Sequence, residues 1–201
     1  MNHDLKPLLR RIGPDVLGPV AVFYLARIAG ADQTTARKAA RKAAGGHAHF
    51  AGIIVANTTE YGGSGGDVAV FSCDELAGHI AIHELSHSQF ELADEYSDAG
   101  QSSTDKPIED NVAAKPNPNA PAWAPGEGQQ LKWGALLSAG VAFPTAAAGA
   151  DPETVGAYEG AKYKPTGLFR PSSVCKMRVV TAPFCRVCRN KITARLQAHL
   201  P

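Results

Sequence analysis

The spacing of hydrophobic and polar positions changes period several times along the chain. From about Glu75 to Phe90, apolar residues Leu76, Ile80, Ile82 and Leu85 recur at helical spacing without an interrupting proline. This pattern predicts a helix, with Asp74 as its N-cap. GIIVANT (Gly52 to Thr58) is a β-branched run that reads as a buried strand, and VAVFS (Val68 to Ser72) as a second one. EYGGSGGD (Glu60 to Asp67) lies between them and is rich in glycine. It lacks the lysine and spacing of a phosphate-binding loop. A loop and edge strand bordering a cleft is the expectation, and such an edge can hold an extended peptide by main-chain hydrogen bonds.

Outside this block the pattern predicts helices over about 15–29 and 32–44, the second opened by Asp32 and closed by Gly45-Gly46. From Ser97 to about Gly128 the chain is polar and rich in Pro and Asn, which suits a long surface loop over the cleft. QLKWGALLS reads as a short helix or strand, and GAYEGAKYKPTGLFRPSSVCKMR as an aromatic loop. A final helix is expected from about Cys185 to Leu200. Together these predict one α+β domain over 1–201, with an N-terminal subdomain of about 1–96 and a loop-rich C-terminal subdomain of about 97–201.

Composition changes this picture little. The chain has 201 residues, 44% of them hydrophobic, and a net charge of +1, so nothing global points to nucleic acid or a membrane as partner. The basic run ARKAARKAA, with Arg37, Lys38, Arg41 and Lys42, reads as a solvated helix face. VLGPVAVFYLARIAG (Val16 to Gly30) is too short for a membrane span and contains Arg27. Arg10 and Arg11 precede it, but no clean small-residue cleavage site follows, so there is no clear signal peptide.

The chemistry lies inside the predicted helix. His83-Glu84-Leu85-Ser86-His87 has the form H-E-x-x-H. With seven histidines in the chain, about 0.01 such motifs are expected by chance. On a helix His83 and His87 stand one turn apart on one face and can direct two imidazoles at one metal ion. Glu84, about 100° around the helix, can reach a water on that metal without binding it. Zinc suits two imidazoles and an open position for water. His79 shares the face but reads as a packing or outer residue, since three histidines spaced four apart cannot all converge on one ion.

The blocks IIVANTTEYGGSGG, HELSHSQFELADEY, YEGAKYKPTGLFRPSSVCKMR and FCRVCR, in that order, resemble the IgA-peptidase family of zinc metallopeptidases. The resemblance covers roughly 50–96 and 156–190, with Lys132-Trp133 between. It implies a zincin or metzincin-like catalytic domain: a mixed sheet over the active-site helix, and a C-terminal subdomain below. It implies a peptide or protein substrate, though not immunoglobulin in particular. It also suggests a secreted or periplasmic location.

A catalytic zinc normally takes a third protein ligand. In the metzincin pattern H-E-x-x-H-x-x-G-x-x-H, Phe90 stands at the glycine and Ala93 at the third histidine. Asp94 follows and is the leading candidate, with Glu95 and Glu159 as alternatives. Met177 is the candidate for a methionine floor beneath the metal, or else a core residue filling a gap. Tyr163 is the expected second donor to the attacked carbonyl, with Arg170 next: its guanidinium could instead hold Asp94 or a substrate carboxylate. Cys185-x-x-Cys188 lacks the second pair of a zinc ribbon. The resemblance points to disulfides among Cys73, Cys175, Cys185 and Cys188, with buried free thiols the alternative. The reaction expected is peptide hydrolysis at one zinc, with Glu84 as general base. Rival readings are a catalytically silent binding module, which the intact Glu84 argues against, and a zinc hydrolase of a non-peptide amide.

Overall fold

The computed structural model describes residues 51–66, 68–97, 107–120 and 122–198. The helices expected over 15–29 and 32–44, with the basic run, lie outside the described residues.

Strand β1 (Gly52–Ala56) runs parallel to β3 (Val68–Ser72), pairing Gly52 with Val68 and Ala56 with Ser72. The glycine-rich segment between them supplies β2 (Gly63–Ser64), which pairs antiparallel with β3. The order is therefore β1-β3-β2, and the outer strand beside the cleft comes from the glycine loop itself, with VAVFS in the centre. β3 is the more buried strand, with Val68, Ala69 and Ser72 covered, whereas β1 is mostly half-buried.

Helix α1 (Ala77–Phe90) packs on β3. Asp74 does not cap it directly. Its Oδ1 accepts from the Leu76 amide, its carbonyl accepts from Ala77, and Leu76 occupies the N-cap position. The aspartate thus closes a turn just upstream, where its short side chain competes with the helix for main-chain donors. Ile80 is buried, but Ile82 is exposed, contrary to the periodicity, because the buried stripe is completed by His83, Glu84 and Ser86. Glu91 ends the helix with a left-handed backbone (φ 54°), its amide donating to the Ser86 carbonyl. The chain reverses there, so residues 92–96 run back beside the helix end.

The segment expected to be an aromatic loop is instead a hairpin of β5 (Tyr158–Ala161) and β6 (Lys164–Arg170), with β4 (Ala113–Ala114) on the other side of β6. Its turn carries Lys162 and Tyr163 at φ 47° and 64°. Hairpin turns of this hand favour Asn or Gly, so Lys-Tyr gave no turn signal. QLKWGALLS contributes to two 3₁₀ turns, Glu127–Gln130 and Gly134–Leu136. Within the described part of the polar stretch before it, Asn111 and Val112 are fully buried. Helix α2 (Arg186–Gln197) follows Cys185. The main core joins Leu92, Trp133, Phe169, Met177 and Val187. Two helices and two small sheets among the described residues make an α+β fold compatible with a zincin-like domain. No described helix is long and apolar enough to cross a membrane.

The four cysteines are free thiols, which corrects the expectation of disulfides. Cys73 is exposed while the other three are buried. Cys175 Sγ and Cys188 Sγ stand 3.6 Å apart, far beyond the ~2.05 Å of an S–S bond.

Candidate metal centre and active-site cleft

Each histidine of the helical pair is fixed by a main-chain carbonyl. The Nδ1–H of His83 donates to Lys176 O at 3.0 Å, and that of His87 to Leu92 O at 2.6 Å. A carbonyl only accepts, so in the neutral rings both protons sit on Nδ1 and both Nε2 atoms carry lone pairs. Those two atoms lie 3.2 Å apart. Asp94 Oδ1 stands 3.1 Å from the first and 3.2 Å from the second. With the rings neutral, three acceptors thus converge with no hydrogen among them, and Asp94 Oδ1 is buried without a hydrogen-bond donor. A cation satisfies all three. A tetrahedral ion with bonds of 2.0–2.2 Å has ligand-to-ligand edges of about 3.3–3.6 Å, only slightly wider than this triangle, so the residues fit a metal of zinc's size.

The reversal at Glu91 is what brings Asp94 here. Its second oxygen, Oδ2, accepts from the Tyr163 hydroxyl at 2.7 Å. Tyr163 spends its proton on the carboxylate, so its oxygen accepts from the Tyr96 hydroxyl, 3.0 Å away. The hairpin turn is tied to the same segment by Lys162 N–H to Asp94 O and Tyr163 N–H to Tyr96 O, both 3.0 Å. Burial alone would raise the Asp94 pKa, but its contacts with His83, His87 and Tyr163 hold it well below the ordinary carboxylate range. Burial opposes charge on His87, yet Asp94 outweighs it and the pKa rises.

Glu84 is buried beside this triangle, with its carboxylate within 4.8 Å of both ring nitrogens. Asp94 Oδ1, at 3.1 and 3.2 Å, and the Glu84 carboxylate both stand within reach of the histidine pair. Burial raises the Glu84 pKa, partly offset by His83 and His87. Two glycines allow the outer strand to lie this close. A Cβ on Gly63 would come within 2.4 Å of Glu84 Oε1 and 2.7 Å of Ile80 Cγ2, and one on Gly65 within 2.5 Å of His87 Cβ. These residues line a cleft of about 510 Å³, with the Tyr96–Tyr163 pair and Lys162 on its other wall.

The other sequence candidates stand elsewhere. Glu159 is exposed and accepts from the Gly167 amide at 3.0 Å. Glu95 is fully buried and turned toward the cysteines, and burial pushes its pKa up to about 8. Arg170 is buried away from the cleft, donating to the Glu159 and Gly160 carbonyls at 2.6 Å, and so holds neither Asp94 nor a ligand in the cleft. Met177 is a core residue whose carbonyl accepts from the Glu95 amide. His79 is exposed beside Lys176 Nζ. Sequence reasoning passed over Tyr96, the glycine contacts and the Lys176 carbonyl. Tyr96, Gly63, Gly65 and Lys176 all lie within the family blocks, and that membership was their one signal, since the contacts they make depend on the fold.

Two fixed imidazoles, a convergent carboxylate and a buried glutamate in one cleft belong to the class of sites that hydrolyse with a bound metal. The chain is a member of the IgA peptidase M64 family, a family of metallopeptidases, which it matches over residues 22–151 and 146–196. The match begins well before the residues that carry the resemblance noted above. No curated protein matches the chain.

Proposed function

We propose that this protein is a zinc endopeptidase in which His83, His87 and Asp94 hold the ion and Glu84 is the general base. The observation that carries the reading is the donor-free triangle of two Nε2 atoms and Asp94 Oδ1 beside the buried Glu84. When bound, the metal acidifies a water and polarises a carbonyl. The raised pKa of Glu84 suits a group that takes up the water's proton and passes it to the leaving amine. The Tyr96–Tyr163–Asp94 chain orients the carboxylate ligand, as outer partners of metal ligands commonly do. Tyr163 lines the cleft, so the same hydroxyl is our candidate donor to the carbonyl oxygen, a role that requires it to leave Asp94 Oδ2. Strand β2 borders the cleft and suits a substrate chain laid alongside it. We take the whole chain as a single catalytic domain acting on peptides or proteins.

The test is cleavage of a mixed peptide library by the purified chain, before and after chelation, with zinc added back. Cleavage that is lost with chelator and restored by zinc is expected. No cleavage by zinc-loaded protein, or cleavage indifferent to chelator, overturns the reading.

A further inference from the structure

A second cluster of metal-ligating atoms lies away from the cleft. Cys175, Cys185, Cys188 and Glu95 each present one atom, all within 4.8 Å of one another, and all four residues are buried. Three chain segments converge on it: the return segment after α1, the turn that carries Lys176, and the start of α2. Cys175 Sγ lies 3.6 Å from Cys188 Sγ, and Cys188 Sγ lies 3.4 Å from Glu95 Oε1. Zinc–thiolate bonds of 2.3 Å give tetrahedral sulfur–sulfur edges of about 3.8 Å, and mixed sulfur–oxygen edges of about 3.6 Å. Both separations are close to these values.

The carboxylate supplies an independent sign. Glu95 Oε1 accepts from Asn111 Nδ2 at 3.0 Å, but Oε2 is buried with no partner. A fully buried carboxylate oxygen left unpaired is costly, and a cation beside it removes the deficit. Cys185 occupies the N-cap of α2 and Cys188 its first turn, where helix amides favour anionic sulfur.

We propose that Cys175, Cys185, Cys188 and Glu95 form a second, structural metal site that takes zinc or a similarly thiophilic divalent ion. Its binding releases the thiol protons to solvent. The site braces the catalytic one. Glu95 adjoins Asp94, and its amide donates to Met177 O at 2.7 Å. Cys175 adjoins Lys176, whose carbonyl fixes His83. The inference does not depend on the peptidase reading, since a chain with an inert cleft would carry this ion equally.

The experiment measures metal content and spectrum on the full chain. Inductively coupled plasma mass spectrometry should find two zinc ions per chain in the wild type. Cobalt(II) reconstitution should add thiolate-to-cobalt charge-transfer absorption in the near ultraviolet, which a His/His/Asp site cannot produce. His87→Ala should keep one ion and that absorption. Glu95→Gln should weaken the second ion about 10-fold or more in chelator competition. One zinc per chain in the wild type without thiolate absorption overturns the proposal, and so does a mass lower by two hydrogens, which marks a disulfide. Loss of the absorption in a folded His87→Ala chain overturns it too. Unchanged affinity in Glu95→Gln removes the carboxylate from the ligand set. Failure of the peptide assay with two ions present would sink the peptidase reading and leave this one standing.

Discussion

Tyr163→Phe is the most informative single change, because it deletes one oxygen and keeps the ring. The ring should stay against Tyr96, where the centroids are 5.0 Å apart and the planes 80° to each other. What disappears is the 2.7 Å bond from the phenol to Asp94 Oδ2. A hydrogen bond to a charged partner contributes about 1.5–3 kcal/mol. The Asp94 side chain is only 11% exposed, so solvent does little to replace it. At about 1.4 kcal/mol per tenfold, zinc affinity should fall roughly 10- to 150-fold. This agrees with the ~10–100-fold cost of losing an outer partner of a metal ligand. Chelator competition measures the affinity, and kinetics at saturating zinc then measure what remains of turnover. If zinc binds the variant as tightly as wild type, the bond does not hold Asp94 for the metal and the reasoning fails. A further drop in kcat at full occupancy, with KM little changed, assigns the hydroxyl to the carbonyl as well. Recovery of wild-type kcat once zinc saturates limits Tyr163 to orienting Asp94.

Glu84→Gln should keep zinc and lose about 10²–10⁴ in kcat, since the amide cannot accept the water's proton; turnover within tenfold of wild type would remove Glu84 as the base. Asp94→Ala should weaken zinc by at least the ~10–100-fold expected of an outer partner, while Glu159→Ala binds normally, and the reverse pattern in chelator titration would exchange their roles. Gly63→Ala forces a Cβ to within 2.4 Å of Glu84 Oε1, so kcat should drop about 100-fold with zinc retained; full activity would mean the strand moves aside freely. Asn111→Ala breaks its bonds with the Ala93 main chain and Glu95 Oε1, and should cost about 2–4 kcal/mol in urea unfolding; a loss below ~1 kcal/mol would show that the return segment is held by other contacts.

The parts of this molecule legible in its sequence are those where chemistry and local periodicity agree. The two strands at 52–56 and 68–72 and the helix through His83 were written in β-branched runs and helical spacing. The candidacy of Asp94 followed from Ala93, which cannot bind metal, and the first carboxylate after it. The hairpin at Tyr158–Arg170 was hidden because its turn puts Lys162 and Tyr163 in a left-handed conformation without Gly or Asn. The helix end at Phe90 was legible, but the left-handed turn that follows it was not, since Glu91 stands where glycine is usual. Such positions hold only when tertiary contacts dictate them. Here the main-chain bonds from 162 and 163 to residues 94 and 96 do so.

Backbone register also decides how adjacent carboxylates come to face different clusters. Asp94 and Glu95 look alike in sequence, as an acidic exit from a helix. Main-chain partners alternate along this stretch: the carbonyls of Asp94 and Tyr96 accept from the hairpin, while the Glu95 amide donates to Met177. That alternation is strand-like, and in a strand neighbouring side chains diverge. Asp94 therefore turns toward the histidines and Glu95 toward the cysteines. A one-residue slip of this segment would exchange the two. The register is held on one side by Asn111, which both donates to and accepts from the Ala93 main chain, and on the other by the hairpin turn. The left-handed turn at Glu91 and the backbone of Lys162 and Tyr163 thus have a structural reading: strain at three ordinary residues holds one extended stretch in the register that turns Asp94 to the histidines and Glu95 to the cysteines.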